Sequence, residues 1–383
     1  MPSAIVLGAG MVGSVMAADM AADSAYSVTI VDAREENLAA ANARAGGKLK
    51  TIRADLSNPA DVKRVIAPFD IVLGAIASRI GLQTLRAVIE SGKNYSDITF
   101  MAEDAIDLDG LAKQHGVTAV VDMGVAPGMS HLLAGHEAAT MDRCESIEIY
   151  VGGLPRERRW PFQYKAPFSP ADVLEEYTRP TRLVEHGKVV VREALSEPEL
   201  MDFPGVGTLE AVNTDGLRSL ARTHTVPFMK EKTLRYPGHY ELMRVMRATG
   251  LFSQEPIDVG GAKVRPLDVI SKLMFPMWTF QPGEEDVTVM RIIVAGEHKG
   301  RRERRVWDLF DFYDKKTQAT SMSRTTGFPC TIMARQIASG KFKKPGVIVP
   351  ELIGQVGGMA ETVIAELKQR GITYTRRVEN TSP

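Results

Sequence analysis

Cysteine is scarce in this sequence, since the 383 residues contain only Cys144 and Cys330. Two cysteines do not make a disulfide framework, and so low a number is typical of a reducing compartment, so we expect a cytoplasmic protein. No cysteines and histidines have the spacing of a zinc site, and we therefore expect no structural metal.

Net charge is also lacking, because Lys plus Arg and Asp plus Glu both total 47. A neutral chain has no general attraction to nucleic acid or anionic lipid. The most basic run, Lys299 to Arg305, contains Glu303 and no aromatic residue, which is typical of a solvated hairpin turn. No apolar run approaches the roughly 18 residues of a membrane span, and no signal-peptide pattern precedes Ala4. We expect neither nucleic acid nor a membrane as partner.

The N-terminal third alternates short apolar runs with helical patterns, which is typical of βαβ units. The expected strands are Ala4 to Leu7, Val28 to Val31, Leu49 to Arg53, Ile71 to Ala75, Tyr95 to Ile98 and Val117 to Val121. Six such strands predict an α/β fold with a Rossmann-type, doubly wound parallel sheet.

After Met129 the pattern changes to longer strands, proline-rich connections and hairpin signals, which predicts an inserted α+β domain. A helical pattern resumes at Thr326. We therefore predict a discontinuous dinucleotide-binding domain, residues 1–128 and 326–383, with a substrate-binding and dimerisation domain at 129–325.

A glycine-rich motif directly follows the first strand and opens a helix: Gly8-Ala9-Gly10-Met11-Val12-Gly13. In the G-x-G-x-x-G pattern the first glycine makes a tight turn and the second lets the backbone approach a pyrophosphate. The third permits close helix packing, and the helix N-terminus faces the anion. This context predicts a dinucleotide site that includes Met11 and Val12.

The second strand ends at Asp32, about twenty residues after the motif, where a carboxylate can bind the adenosine ribose. Because a carboxylate repels a 2′-phosphate, we expect NAD rather than NADP. Arg34, after Ala33, could instead accommodate that phosphate, which leaves NADP as the less favoured cofactor. Asp55 could meet the adenine or be a solvated loop residue. Ala75-Ile76-Ala77 offers small side chains where the dinucleotide would cross the sheet edge.

Several blocks resemble the saccharopine dehydrogenase family, in the same order along the chain. The principal one is Asp122 to His131, and further similar blocks are Gly205 to Glu210, Thr233 to His239 and Thr325 to Pro329. Tyr177 to Pro180 and Leu195 to Leu200 are most similar to the L-lysine 6-dehydrogenase branch. That resemblance implies NAD-dependent oxidation of the ε-amino group of L-lysine, imine hydrolysis to a semialdehyde that cyclises, and a homodimer.

Two departures from the family pattern bear on the substrate. Ala126 stands where saccharopine-processing members usually carry Asp, and Phe100 stands where they tend to place Tyr. Both favour the amine-oxidising branch. The alternative is a saccharopine-type enzyme that condenses an amino acid with a keto acid using NADP. A third hypothesis, a sensor that binds NAD without turnover, would have no use for so large a second domain.

Hydride loss from a carbon that bears nitrogen requires a neutral amine, and therefore a base. A substrate carboxylate is best bound by the guanidinium fork of Arg. The candidate catalytic residues are His131, Asp97 and Lys165, and the candidate substrate contacts are Tyr164, Arg218, Arg235, His239 and Arg324. Each has a structural alternative: His131 could pack, His239 could belong to an exposed turn, and Asp97 could cap a helix.

Overall fold

The computed structural model describes residues 1–380 as two large sheets and a small two-stranded one (Ile257–Val259 paired with Ala262–Val264), with flanking helices. In chain order the strands are β1 (Ser3–Leu7), β2 (Ser27–Asp32), β3 (Lys50–Arg53), β4 (Ile71–Gly74), β5 (Asn94–Asp97), β6 (Thr118–Val120), β7 (Arg143–Pro155), β8 (Thr181–Glu185), β9 (Lys188–Arg192), β10 (Glu199–Phe203), β11 (Gly207–Asn213), β12 (Phe228–Arg235), β13 (Ile257–Val259), β14 (Ala262–Val264), β15 (Asp286–His298), β16 (Arg301–Phe312), β17 (Gly346–Ile348) and β18 (Tyr374–Asn380). The helices are α1 (Met11–Ala22), α2 (Glu35–Arg44), α3 (Pro59–Ile66), α4 (Gly81–Glu90), α5 (Asp109–Gln114), α6 (Met129–Ala139), α7 (Pro170–Thr178), α8 (Leu220–Thr223), α9 (His239–Ala248), α10 (Pro266–Trp278), α11 (Ser321–Ala338), α12 (Pro350–Gly354) and α13 (Met359–Gln369).

The first sheet is parallel, with strand order β17-β6-β5-β4-β1-β2-β3. The predicted α/β fold with a Rossmann-type sheet is therefore confirmed. The order reverses between β1 and β4, and at such a switch point an open sheet leaves a crevice beyond the carboxyl ends of its strands. Its seventh strand, β17, comes from the C-terminal part of the chain.

The C-terminal segment is divided between the two sheets. Helix α11 packs on α1, where Asp19 accepts hydrogen bonds from Thr331 (2.6 Å) and Arg335 (2.7 Å). Strand β18, by contrast, pairs antiparallel with β16 in the second sheet. The predicted assignment of all residues from 326 onward to the first domain is thus incomplete, because the free edge of β16 recruits the last strand through backbone hydrogen bonds.

The second sheet has the path β10-β11-β12-β7-β15-β16-β18, with β8 and β9 attached beside β12. Strands β15 and β16 form the predicted long hairpin, whose turn is only Lys299-Gly300. The basic run after this turn therefore lies in β16, and Arg305 is buried. The interpretation of residues 301–305 as a solvated turn is wrong, since the pairing of His298 with Arg301 starts the strand there.

An aromatic cluster fills the space beneath the second sheet, beside α7, α9 and α10. Its rings belong to Tyr164, Tyr177, His239, Tyr240 and Trp278, all of them buried. Within the described part of the chain, the helices are all too short or too polar to cross a membrane.

Candidate active site

The glycine motif forms a tight turn between β1 and α1 at the crevice. Gly8 has φ +96°, and a Cβ there would collide with the carbonyl oxygen of Ala75. A Cβ on Gly13 would collide in turn with the carbonyl of Gly8. Gly10 faces open space, and no side chain among residues 1–380 caps the helix that begins after it. The first-turn N–H groups of α1 therefore fit the diphosphate of a dinucleotide.

The carboxylate of Asp32 is occupied by groups of the protein itself. It accepts hydrogen bonds from the backbone N–H of Ala9 (2.8 Å) and Arg34 (2.9 Å), and from the side-chain amide of Asn37 (3.2 Å). These bonds hold the glycine turn against the start of α2. Asp32 therefore stabilises the glycine turn and also lies next to the crevice.

Two exposed guanidinium groups flank the end of β2. Arg34 follows directly, and Arg53 pairs with Asp32 across the β2–β3 ladder and donates through Nε to the carbonyl of Ala33 (3.2 Å). Asp55 is exposed and accepts the N–H of Ser57 (2.9 Å), which lowers its pKa. Two exposed arginines and the exposed Asp55 thus lie at this corner, whereas the carboxylate of Asp32 is hydrogen-bonded within the protein.

Helix α7 forms the opposite wall of the crevice. It begins at Pro170, with Ser169 as its cap. The segment Ala75-Ile76-Ala77 leaves β4 and leads to Ser78, whose hydroxyl lies 3.4 Å from the carboxylate of Asp172 on α7. Helix α7 therefore meets the first domain beside the carboxyl end of β4.

A second contact between the domains is made at Phe100, which follows β5. The guanidinium of Arg218 lies 4.6 Å from the centre of its ring, and that of Arg179 on α7 lies 5.7 Å away. Because cations are attracted to the face of an aromatic ring, this contact holds α7 over the end of β5.

Arg235, at the end of β12, is 2% exposed and is held from several sides. Its Nε donates to the hydroxyl of Tyr177 (2.9 Å), its Nη1 donates to the carbonyl of Leu234 (2.9 Å), and its guanidinium lies 4.5 Å from the ring centre of Tyr164. Its Nη2 lies 3.6 Å from Oε2 of Glu176. The Nη2 end of this buried, hydrogen-bonded guanidinium is therefore directed towards α7.

His239 orients this arginine rather than acting as a free base. Its Nδ1 lies 2.8 Å from the carbonyl of Phe162, which can only accept, so Nδ1 carries the proton. Its Nε2 then accepts from the hydroxyl of Tyr177 (2.9 Å), leaving that oxygen to accept from Arg235. Burial, with the charge of Arg235, lowers the pKa of His239 to about 3 and keeps it neutral.

His131 and Asp97 are both fully buried. The Nε2 of His131 donates to the carbonyl of Leu217 (3.0 Å), its Nδ1 pairs with the hydroxyl of Ser130 (2.9 Å), and burial lowers its pKa to about 4. Asp97 accepts the N–H (2.9 Å) and hydroxyl (2.6 Å) of Thr99, and burial raises its pKa to about 6. Neither side chain reaches the crevice surface, so their positions favour structural roles.

Three further predicted residues are engaged in ion pairs. Lys165 pairs with Glu284 (2.5 Å) and faces away from Arg235. Arg218 binds the carboxylate of Asp122 (3.1 Å) and the carbonyl of Met101, joining the second domain to the first sheet. Arg324 pairs with Asp311 (3.0 Å) between α11 and β16. The structure therefore brings together Tyr164, Arg235 and His239, and places Lys165 and Arg324 elsewhere.

Family models match this chain over almost its whole length. Residues 4–120 match the saccharopine dehydrogenase NADP binding domain, and residues 124–372 match the saccharopine dehydrogenase C-terminal domain. The chain belongs to the saccharopine dehydrogenase family. The family resemblance is confirmed, and this saccharopine dehydrogenase family member is an oxidoreductase that acts on CH–NH groups.

Individual relatives are distant, and they cover different shares of the chain. A saccharopine dehydrogenase (NADP(+), L-glutamate-forming) from Schizosaccharomyces pombe is 23% identical over 96% of this chain and 97% of its own. A carboxynorspermidine synthase from Vibrio cholerae is 25% identical over 61% of this chain and 58% of its own. The solved structure of a saccharopine dehydrogenase (L-Glu forming) from Saccharomyces cerevisiae has a TM-score of 0.81, with 18% identity, and covers 99% of this chain and 100% of that one. It shows the same fold.

The expectation of NAD as the main cofactor is wrong. The matched N-terminal family model is an NADP binding domain, and the relative from Schizosaccharomyces pombe is named for NADP(+). The prediction treated Asp32 as a free carboxylate, whereas its oxygens are occupied by backbone and amide donors and two arginines stand beside it. The lysine 6-dehydrogenase branch, the homodimer and the cytoplasmic location are tested by none of these matches and stay predictions.

Sequence reasoning missed Arg53, Asp172, Glu176 and Arg179. The sequence did contain a signal for two of them, because Ser169-Pro170 is typical of a helix start and places Asp172 and Glu176 one turn apart on one face. Arg53 gave no signal, because it becomes a neighbour of Arg34 only through the register of β2 and β3.

Proposed function

We propose that this protein is an NADP-dependent, saccharopine-type oxidoreductase, which interconverts a secondary amine with an amino acid and a carbonyl compound. The observation that carries the proposal is the buried guanidinium of Arg235, whose Nη2 is directed towards Glu176 on α7, the helix that contacts the first domain at Ser78. The full-length likeness to an NADP(+)-dependent, glutamate-forming enzyme supports this reaction class.

Different residues bind the cofactor and the substrate. The first-turn N–H groups of α1 hold the diphosphate, and Arg34 and Arg53 bind the 2′-phosphate. Bound NADP accepts or supplies the hydride at the carbon next to nitrogen. Arg235 binds a substrate carboxylate, and Tyr177 with His239 keeps its guanidinium in one orientation.

A second candidate is NADP-dependent oxidation of a primary amine, with the ε-amino group of L-lysine as the substrate. Ala126 favours it, because saccharopine-processing members of the family usually carry Asp at this position. In that reaction no second carbonyl compound takes part, and ammonia is the product.

Absorbance of NADPH distinguishes the two candidates. We expect NADP reduction with saccharopine, and NADPH oxidation that requires both L-glutamate and the semialdehyde of aminoadipate. NADP reduction by lysine alone with release of ammonia would favour the second candidate. Absence of hydride transfer with every one of these substrates, in a protein that binds NADPH, would exclude both.

Replacing Arg34 and Arg53 with alanine is expected to weaken NADP binding and leave NAD binding nearly unchanged. Each hydrogen bond to a charged partner contributes about 1.5–3 kcal/mol, and the exposure of both side chains puts each loss at the low end, roughly tenfold in Kd. Calorimetric titration of each variant with both cofactors measures the effect. Arg64→Ala, an exposed arginine on α3, is the control. Equal losses for NAD and NADP would contradict a 2′-phosphate site.

A further inference from the structure

Three partly exposed residues lie on or directly after α7. Asp172 and Glu176 are one turn apart on the same side of the helix, and Arg179 is the residue that follows its last turn. The outer two contact the first domain, Asp172 at Ser78 and Arg179 at Phe100. Glu176 lies between those two residues along the chain, and its Oε2 faces Arg235 at the end of β12.

Glu176 has a carboxylate oxygen that the protein leaves unused. Its Oε2 is buried and, among residues 1–380, accepts no hydrogen bond. A buried acceptor without a partner is costly, and its retention points to a partner supplied from outside. The nearest cation is Nη2 of Arg235 at 3.6 Å, which is beyond a hydrogen bond.

The other carboxyl groups near the crevice are less suitable. Asp97 also has a buried oxygen without a hydrogen bond, Oδ2, but its side chain is 0% exposed and follows β5 rather than lying beside Arg235. Asp122 is paired with Arg218, whereas the Glu176 side chain is 19% exposed and its Oε2 lies 3.6 Å from Arg235. Glu176 is thus the carboxyl group that a substrate bound at Arg235 can reach.

We propose that Glu176 takes the proton from the substrate ammonium before hydride transfer, and returns it in the reverse direction. The inference rests on the proposed function. In a saccharopine-type substrate the reacting nitrogen is attached to the carbon that bears the carboxylate. A carboxylate bound at Arg235 therefore brings that nitrogen beside Glu176.

The reaction balances as follows. The secondary ammonium gives its proton to the Glu176 carboxylate, and the neutral amine loses hydride from its adjacent C–H bond to NADP+, forming an iminium ion and NADPH. Water adds to the iminium carbon and releases one proton to solvent, which gives a neutral carbinolamine. Its C–N bond then breaks as the hydroxyl proton is released and the nitrogen is protonated, which gives an aldehyde and a primary amine. The proton held by Glu176 passes to the departing amine.

The surroundings of Glu176 suit a group that titrates near neutrality. Burial raises its pKa to about 7, Arg235 and Arg179 oppose the rise, and Asp172 adds to it. The other ionisable groups that face it are Glu231, Tyr164, Tyr177 and Tyr240. Since the ionised form accepts the proton, amine oxidation is expected to fall as pH drops below about 7.

Glu176→Gln tests the proposal, because it keeps the shape and removes the proton acceptor. We expect kcat for saccharopine oxidation to fall by about 10²- to 10⁴-fold, the acidic limb of the kcat profile to disappear, and the Kd for NADPH to stay unchanged. Glu176→Asp should restore part of kcat and the acidic limb. Glu255→Gln, at an exposed glutamate between α9 and β13, is the matched control and should retain wild-type kinetics.

A readout without turnover completes the test. Saccharopine binding to the NADP-free protein, followed calorimetrically in buffers of different ionisation enthalpy, should change the number of bound protons in wild type and not in Glu176→Gln. A Glu176→Gln protein with wild-type kcat and an intact acidic limb would overturn the inference while the proposed function stood. A wild-type protein inactive with saccharopine and with the glutamate pair would overturn the proposed function, and the inference with it.

Discussion

Replacing Arg235 with lysine is expected to raise KM for the amino-acid substrate strongly while the Kd for NADPH stays unchanged. Truncating one partner of a buried, hydrogen-bonded charge pair costs about 2–5 kcal/mol, which corresponds to roughly 30- to 10⁴-fold in kcat/KM. Lysine keeps the charge but lacks the planar fork, and loses the bond from Nε to Tyr177. Steady-state kinetics with saccharopine measure the change.

The chain offers a matched control in a second buried arginine. Arg324→Lys also keeps its charge and also loses contacts to a carboxylate, but Arg324 binds Asp311, far in the fold from α7. We expect Arg324→Lys to lower thermal stability and leave KM unchanged. Equal KM values for the two variants would show that Arg235 does not bind the substrate.

Replacing Glu137 with glutamine is expected to destabilise the whole protein. Its buried carboxylate on α6 accepts hydrogen bonds from Arg305 (3.1 Å), Trp307 Nε1 (2.7 Å) and Arg376 Nε (2.6 Å), and so joins α6 to β16 and β18. Breaking a buried pair by removing one charge costs about 3–5 kcal/mol, and the remaining ion pair of Arg305 with Glu303 (3.0 Å) puts the loss at the low end of that range. Urea unfolding followed by tryptophan fluorescence measures the loss.

The contribution of Glu137 to the stability of the protein is expected to depend on pH. Burial alone would raise the pKa of Glu137, but hydrogen bonds from Arg376 and Trp307 and the charges of Arg376 and Arg305 hold it below its usual range. The contribution of Glu137 to the free energy of unfolding is therefore complete above the ordinary glutamate pKa of about 4.3. It is lost as pH falls through the lower pKa of Glu137 in the folded protein.

Wild type and Glu137→Gln should accordingly begin to converge in stability as pH falls below about 4.3, and should meet only below the lower folded pKa of Glu137. Glu366→Gln removes a partly exposed carboxylate paired with Arg370 and should cost less than about 1 kcal/mol. A loss of similar size in both variants would contradict the special role of Glu137.

Local patterns in the sequence predicted the first domain well. The six strands and the glycine motif depend on neighbours within a few residues, and the structure contains all six strands near the predicted positions. The family signature, likewise, is a set of short blocks. Predictions that depended on long-range partners fared worse: Arg305 was expected in a solvated turn, and it lies buried against Glu137.

The candidate bases illustrate the same limit. His131 and His239 stood in blocks that resembled an enzyme, but their ring nitrogens are satisfied by carbonyls of Leu217 and Phe162, which no spacing in the sequence reveals. Glu176 attracted no attention, although its oxygen is the one directed towards the arginine.

By itself, the sequence determined the family, the parallel sheet and the glycine turn, because a strand, a tight turn and a helix start are specified by adjacent residues. Only the tertiary structure decided which charged side chains can bind a ligand and which are paired within the protein. Asp32, Arg324 and Lys165 are engaged by residues elsewhere in the fold, and Glu176 meets Arg235 through the packing of α7 beside β12. The availability of a charged group depends on partners that folding brings together, and those partners lie far apart along the chain.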